Sequence, residues 1–326
     1  MQSSTARKTG IAAVSVLSNT ALVLFKLTVG LLIGSISVIS EAIHSGVDLI
    51  AALIAFFAVK KSSQPADDKH PFGHGKMENV SGTVEALLIF VAGGWIIYES
   101  VHTLLSPGHS LNPGWGVAVM LLSALVNTVV SHFLFKIGRE TDSIALVADA
   151  WHLRTDVYTS LGVTVALGLI WMGELLIPQT DLGWLDPVAA ILVALLIIKA
   201  AFRLTLESAR DLLDVSLPEE EEESIKRCIE SYRPDVRGYH RLRTRKSGSD
   251  RFIEFHIALD PDMSVERSHQ LTDDISESIK NLFPDASVTV HVEPCNGSCT
   301  PECQQGCLLD AEQRSEIRRR FLNASG

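Results

Sequence analysis

No glycine-rich loop of the kind that cradles nucleotide phosphates occurs in this chain, and no nucleophile stands in a pattern with a general base. An enzyme is therefore not expected. A basic surplus is missing as well: 28 Lys and Arg stand against 38 Asp and Glu, a formal net charge of −10. That sign argues against binding nucleic acid through its phosphates. Cysteine is scarce. Four of the five form a regular series at Cys295, Cys299, Cys303 and Cys307, and Cys228 stands alone in a helical stretch that reads as core. No small-residue cleavage site follows the first apolar run, which contains Asn19 and Lys26, so a removable signal peptide is not expected.

Apolar sequence is abundant instead. Hydrophobic residues make up 47% of the 326, and the mean hydropathy is +0.23. Six runs, approximately 11–33, 36–59, 80–105, 115–137, 143–172 and 185–206, are each long enough to cross about 30 Å of hydrocarbon as a helix. Arg7 and Lys8 precede the first run; Lys60, Lys61, Lys69 and Lys76 lie between the second and third; Lys136 and Arg139 lie between the fourth and fifth. The alternate loops, around Gly34, 106–114 and 173–184, hold no Lys or Arg. The positive-inside rule then places both termini in the cytoplasm. Short loops and a compact chain suit a bacterial inner membrane.

Within two of these runs, His44 and Asp48 repeat the spacing of His152 and Asp156. Four residues advance about 6 Å along an α-helix and turn about 40° past a full circle, so each pair shares one face. Two such helices face to face would converge two imidazoles and two carboxylates. Ionisable groups at membrane depth are costly without partners and mark function. The plain alternative is hydrogen bonds between helices, at roughly 0.6 kcal/mol each in membranes, which explains one pair better than two matched ones. Glu85, Glu99, Lys26 and Lys199 suit interfacial or inter-helix roles. Arg154 falls on another side of its helix from His152, placed to snorkel or to pair with an acid.

From Asp211 to Glu293 the apolar runs stop, and 19 Asp or Glu stand against 11 Lys or Arg. This is a soluble acidic domain. Ser216 and Pro218 before the glutamates at 219–223 predict a helix start, with a capping hydroxyl, proline in the first turn and acids at the positive dipole end. Strands at 237–245 and 251–259 flank Ser247, Gly248 and Ser249 as a hairpin, and a helix at 264–282 and a strand at 286–293 follow. The resulting αββαβ order predicts a small α+β sandwich with helices on one sheet face. Ile253, Phe255, Ile257 and Leu259 take one face and leave Glu254 and His256 on the other; Val288, Val290 and Val292 read as buried, opposite His291 and Glu293. With His240 on the first strand and His269 on the helix, four histidines and a carboxylate form a candidate metal set.

Two further groups point to metal. Asp67, His70 and His74 fall within eight residues of a loop in which Gly73 and Gly75 permit tight bends, a regulatory or entry site for a divalent cation. The tail cysteines, spaced four apart, do not match the usual CxxC pairs of zinc ribbons, but thiolates in a reducing compartment suit soft or borderline metals. Redox sensing is their other reading.

The segments Ser40 to Asp48, His70 to Lys76 and Asp149 to Asp156, in that order, resemble the cation diffusion facilitator family, and the resemblance runs from residue 10 to about 294. It implies a homodimeric bundle of six transmembrane helices that exchanges divalent cations, often zinc, for protons, with a cytoplasmic α+β domain of ferredoxin-like, metallochaperone-like form. The domains then fall at 1–210 and 211–293, followed by a cysteine-rich tail at 294–326. The family's intramembrane site maps onto His44, Asp48, His152 and Asp156. Its loop site maps onto Asp67, His70 and His74, and its binuclear cytoplasmic site onto His240, His256, His269, His291 and Glu293. An interlock of loop lysine and acid maps onto Lys76 and Asp214. Glu293 stands where aspartate is usual, and His44 where some bacterial members have aspartate. Two nitrogens and two carboxylates suit tetrahedral Zn²⁺, with Fe²⁺, Co²⁺ and Cd²⁺ as alternatives; Mn²⁺ prefers more oxygen ligands. The rival reading from another class is a membrane-anchored metal sensor, in which the helices only anchor.

Overall fold

The computed structural model describes residues 2–33, 36–105, 114–176, 184–297 and 299–324. Contacts divide it into two units, Met1–Leu212 and Leu213–Gly326. The first contains six long helices: α1 (Gln2–Ile33), α2 (Ile36–Ser62), α3 (Lys76–Leu105), α4 (Gly114–Glu140), α5 (Ile144–Leu176) and α6 (Leu185–Leu212). They agree with the six predicted runs. By length and composition, five of them, α1 to α4 and α6, qualify as membrane spans among the described residues. The 33-residue α5 packs between them, against α4, α6, α3 and α2.

The side chains of this unit are distributed inside out relative to a water-soluble fold. Leu24, Leu31, Leu32, Phe57, Leu125 and Leu196 point outward, while Ser15, Asn19, Glu85, Asn127, Ser131 and Asp149 are buried. Such an arrangement suits a bundle whose solvent is hydrocarbon, where polar groups must find partners inside. With lipid tails as apolar as leucine, close packing of small residues holds the helices together. Ala51, Ala52 and Ala55 of α2 are fully buried, and a methyl group on Gly93 of α3 would stand 2.8 Å from Cγ1 of Ile198 on α6.

The second unit follows the opposite rule. It contains α7 (Glu219–Glu230), β1 (Gly238–Ser247), β2 (Asp250–Leu259), α8 (Val265–Leu282), β3 (Ala286–Pro294), α9 (Pro301–Gln305) and α10 (Ala311–Ala324). Ile225 and Ile229 of α7, and Leu271, Ile275 and Ile279 of α8, recur at helical spacing and bury against Ile253, Phe255, Ile257 and Leu259 of β2. The sheet order is β1-β2-β3, antiparallel between β1 and β2 and parallel between β2 and β3. This is the predicted αββαβ order, with the hairpin turn at Gly248 and Ser249 and Gly248 at a φ of +61°. Ser264 caps α8 by accepting from the backbone N–H of Arg267 at 3.2 Å.

Two expectations need correction. The N-cap of α7 is Pro218, with no side-chain cap, so the hydroxyl of Ser216 lies outside the helix start. Val288 and Val290 are only partly buried and Val292 is exposed, because β3 is an edge strand. The cysteine-rich tail packs within the second unit: Gly238 bridges Cys307, Tyr239 N–H donates to Gly306 O at 3.0 Å, and Leu308 N–H donates to Arg237 O at 2.9 Å. A side chain on Gly306 would collide with the carbonyl oxygen of Tyr239, so this approach needs glycine. Cys228 packs partly buried against the core, and burial pushes its thiol up.

Candidate metal centres

Helices α2 and α5 bring the two His-x-x-x-Asp pairs together and cross them. His152 Nε2 lies 3.2 Å from Asp48 Oδ1, and His44 Nε2 lies 3.7 Å from Asp156 Oδ1, so each imidazole meets the carboxylate of the other helix. Ligand atoms of His44, Asp48 and Asp156 fall within 4.8 Å of one another, while His152 lies outside that group of three and meets it through Asp48. Asp48 and His152 are buried, while His44 is about half exposed on a cavity of about 500 Å³ that Asp48, Asp156, Lys26 and Asn127 also line. Lys26 is buried and donates to Ser45 Oγ at 2.8 Å, joining α1 to α2. An arrangement of two imidazoles and two carboxylates can hold a divalent cation in mixed nitrogen and oxygen coordination.

In the loop between α2 and α3 the predicted triad converges. His70 Nδ1 stands 3.0 Å and His74 Nε2 3.3 Å from the two oxygens of Asp67, and the imidazole rings are 4.4 Å apart. Gly73 between them adopts a φ of +82°. The backbone N–H of His70 holds the Asp67 carboxyl below its usual range, ahead of the contrary effect of burial. His74 is buried with no hydrogen bond to either ring nitrogen, the state of a group with ligand capacity to spare.

The third cluster is built by strand register. His240 pairs across the sheet with His256, which pairs in turn with His291, so three imidazoles form one row. Glu293, opposite Ala258, reaches them: Oε1 lies 2.8 Å from His256 Nδ1 and 3.6 Å from His291 Nε2, and Oε2 lies 3.3 Å from His240 Nε2. The hydrogen bond from His256 leads the effects that hold the Glu293 carboxyl below its usual range. Ligand atoms of His240, His256 and Glu293 fall within 4.8 Å of one another. The glutamate thus reaches its neighbours in the place where aspartate was expected. His269 is not brought into this group. It stands exposed on α8, 3.6 Å from Asp273 of its own helix, because α8 covers the opposite face of the sheet from the histidine row.

Lys76 Nζ donates to Leu212 O at 3.5 Å within the first unit, and Asp214 lies 3.5 Å from Arg245 Nη1 within the second. The four tail thiols are all free and line one cavity of about 550 Å³, which His240 and Glu293 also border. Burial raises the thiols of Cys295 and Cys303. Arg154 meets no acid and lies over the ring of Phe135. Lys199 and Glu99 are exposed, whereas Glu85 is fully buried and accepts from Ser81 at 3.1 Å.

Sequence reasoning missed Glu78, a buried hub that pairs with Lys8 of α1 at 3.3 Å, accepts from Ser62 of α2 at 2.8 Å and accepts from Ser143 before α5. A lone acid two residues after Lys76 carries no signal of its own. Asp149 was also passed over. It is fully buried one turn before His152, inside the segment that carries the resemblance.

Residues 12–213 match the cation efflux transmembrane domain, and residues 217–295 match the cytoplasmic domain of cation efflux proteins. The chain is 37% identical to an uncharacterized transporter of Synechocystis over 80% of its own length and 82% of that protein. It is 32% identical to the cation-efflux pump FieF of Salmonella typhi over 89% of its length and 93% of the pump. A solved structure of the putative zinc transporter CzrB aligns at 36% identity over 24% of this chain and 98% of that one, with a TM-score of 0.24. The sensor reading gives way to these matches: the chain belongs to the cation efflux, or cation diffusion facilitator, family, as an integral multi-pass membrane transporter that exports divalent metal cations and is not an enzyme.

Proposed function

We propose that the chain exports zinc from the cytoplasm in exchange for protons, through His44, Asp48, His152 and Asp156. The observation that carries this is the crossed pairing of the two histidines and two aspartates between α2 and α5, beside a cavity of about 500 Å³ in a bundle that faces hydrocarbon. Zn²⁺ takes neutral imidazole and ionised carboxylate. Loading therefore displaces protons, and protons arriving from the far side compete the metal away. His152 is the proton carrier, since imidazole ordinarily titrates near pH 6.5. Both termini lie in the cytoplasm of a bacterial inner membrane, consistent with the Lys and Arg of the alternate loops. Similarity to a putative zinc transporter and to a cation-efflux pump supports the cargo class.

The remaining clusters serve regulation in this reading. Asp67, His70 and His74 receive the cation on the cytoplasmic side, and His240, His256, His291 and Glu293 bind metal that biases the transport equilibrium in a homodimer. Cys295, Cys299, Cys303 and Cys307 extend metal capture into the adjoining cavity. Proteoliposomes loaded with a pH-sensitive dye and challenged in parallel with zinc, iron, cobalt, cadmium and manganese test the proposal. Zinc-driven proton counterflow is the expected result, with weaker flux for manganese. Zinc flux that moves no protons overturns antiport, and faster iron than zinc flux overturns the choice of cargo.

A further inference from the structure

A second cavity in the helical unit, of about 440 Å³, takes no part in the metal centres. His132, Lys136 and Arg139 of α4 and Arg154 of α5 line it together with the rings of Phe135, Trp151 and Tyr158. No carboxylate is among the lining residues, and none of the four basic side chains has an acid partner among the described residues. Nε of Arg154 is buried without a hydrogen bond. The guanidinium groups of Arg139 and Arg154 lie 5.2 and 5.6 Å from the centroid of Phe135, whose ring meets Trp151 edge-on at 5.3 Å. A half-buried guanidinium whose Nε has no acceptor keeps donors open to an anion with several acceptor oxygens.

Depth along the helices identifies the anion. Phe135 lies five residues before Glu140, the last residue of α4, and Trp151 seven residues after Ile144, the first of α5. At 1.5 Å per residue the cavity is roughly 8–10 Å from those helix ends. With 27 residues, α4 is about 40 Å long against a hydrocarbon core of about 30 Å, so a centred helix places this level roughly 3–5 Å inside the hydrocarbon boundary, within reach of headgroups for the long side chains of Lys and Arg. Trp and Tyr favour the same level. His132, Lys136, Arg139 and Tyr158 are exposed, so the cavity opens to the bundle's surroundings.

We propose that this cavity binds the phosphate of an anionic lipid headgroup. Free phosphate shares the chemistry, but the depth and the aromatic lining favour a lipid. Basic pockets between helices at this membrane face are a recognised form of headgroup site. The proposal is independent of the choice of zinc or protons. Native mass spectrometry of the full-length protein tests it, with phosphatidylglycerol, phosphatidylcholine and inorganic phosphate as separate probes. The wild-type protein is expected to retain phosphatidylglycerol at collision energies that strip phosphatidylcholine, and a variant carrying Lys136→Gln and Arg154→Gln to lose that difference. Equal retention of the two lipids by the wild-type protein overturns the proposal without recourse to any variant, and so does an unchanged preference in a variant that still transports metal. Saturable binding of inorganic phosphate with no preference for phosphatidylglycerol assigns the cavity to a free anion instead.

Discussion

In the helical unit the fully buried residues include Glu85, Asp149 and Asn79, while Leu32, Leu125 and Leu196 face outward; in the cytoplasmic unit Ile225, Ile253, Ile257 and Ile275 are fully buried and acids cover the surface. The two candidate metal centres differ in the same way. The intramembrane one is written in helices, two residues per helix at a spacing of four, and the polar interior supplies its neighbours. The cytoplasmic one is a row across a sheet, contributed by three strands, and stands on the face away from an apolar core. Helical ligands at membrane depth have no water to replace a lost partner, whereas a solvated row can lose one member and keep the others hydrated. The first site is expected to fail outright when damaged, and the second to weaken by degrees.

The largest expected effect tests the first half of that contrast. Asp48→Asn keeps the shape of the side chain but removes one carboxylate from the crossed pairs and the acceptor that faces His152. Metal flux in proteoliposomes is expected to fall to the level of protein-free vesicles, while the cytoplasmic unit still binds metal. Flux within a few-fold of wild type would place the transport site elsewhere.

Core substitutions sharpen the comparison next. Phe255 is almost fully buried on the inner face of β2, and Phe57 of α2 is 61% exposed on the helical bundle. Phe255→Ala is expected to destabilise the cytoplasmic unit by about 3–5 kcal/mol. Phe57→Ala removes the same atoms from a face that lipid covers in both states, and a change within about 0.5 kcal/mol is expected. Urea pulse proteolysis of the full chain in detergent, following a cleavage site in each unit, reads both. Equal losses would mean that Phe57 packs against protein.

The two sites were not equally legible. His44, Asp48, His152 and Asp156 could be read because helical spacing is local: four residues decide which side chains share a face, and an apolar run of more than twenty decides that they lie in a membrane. Crossing the pairs between α2 and α5 needed the bundle. In the cytoplasmic unit, alternation along β2 correctly placed His256 opposite Phe255 and Ile257, but alternation says nothing about which strand lies beside which. The row from His240 through His256 to His291 depends on register between segments 16 and 35 residues apart, and His269 was grouped with it because a helix near in sequence was taken as near in space. Val292 failed for a related reason, since a pattern of alternate valines does not reveal that its strand is an edge. Glu78 was invisible because its partners Lys8, Ser62 and Ser143 come from three distant segments.

The smallest expected effect belongs to the sheet-built site. Replacing both His256 and His291 with alanine leaves His240 and Glu293, 3.3 Å apart, as a residual pair. In the regulatory reading, the apparent metal affinity for transport is expected to weaken about tenfold, equivalent to about 1.4 kcal/mol, with maximal flux retained. The measurement is flux across a zinc titration in proteoliposomes. A midpoint that does not move would detach the cytoplasmic row from transport, and a loss of maximal flux as complete as that of Asp48→Asn would abolish the distinction between a site that carries the ion and a site that reads it.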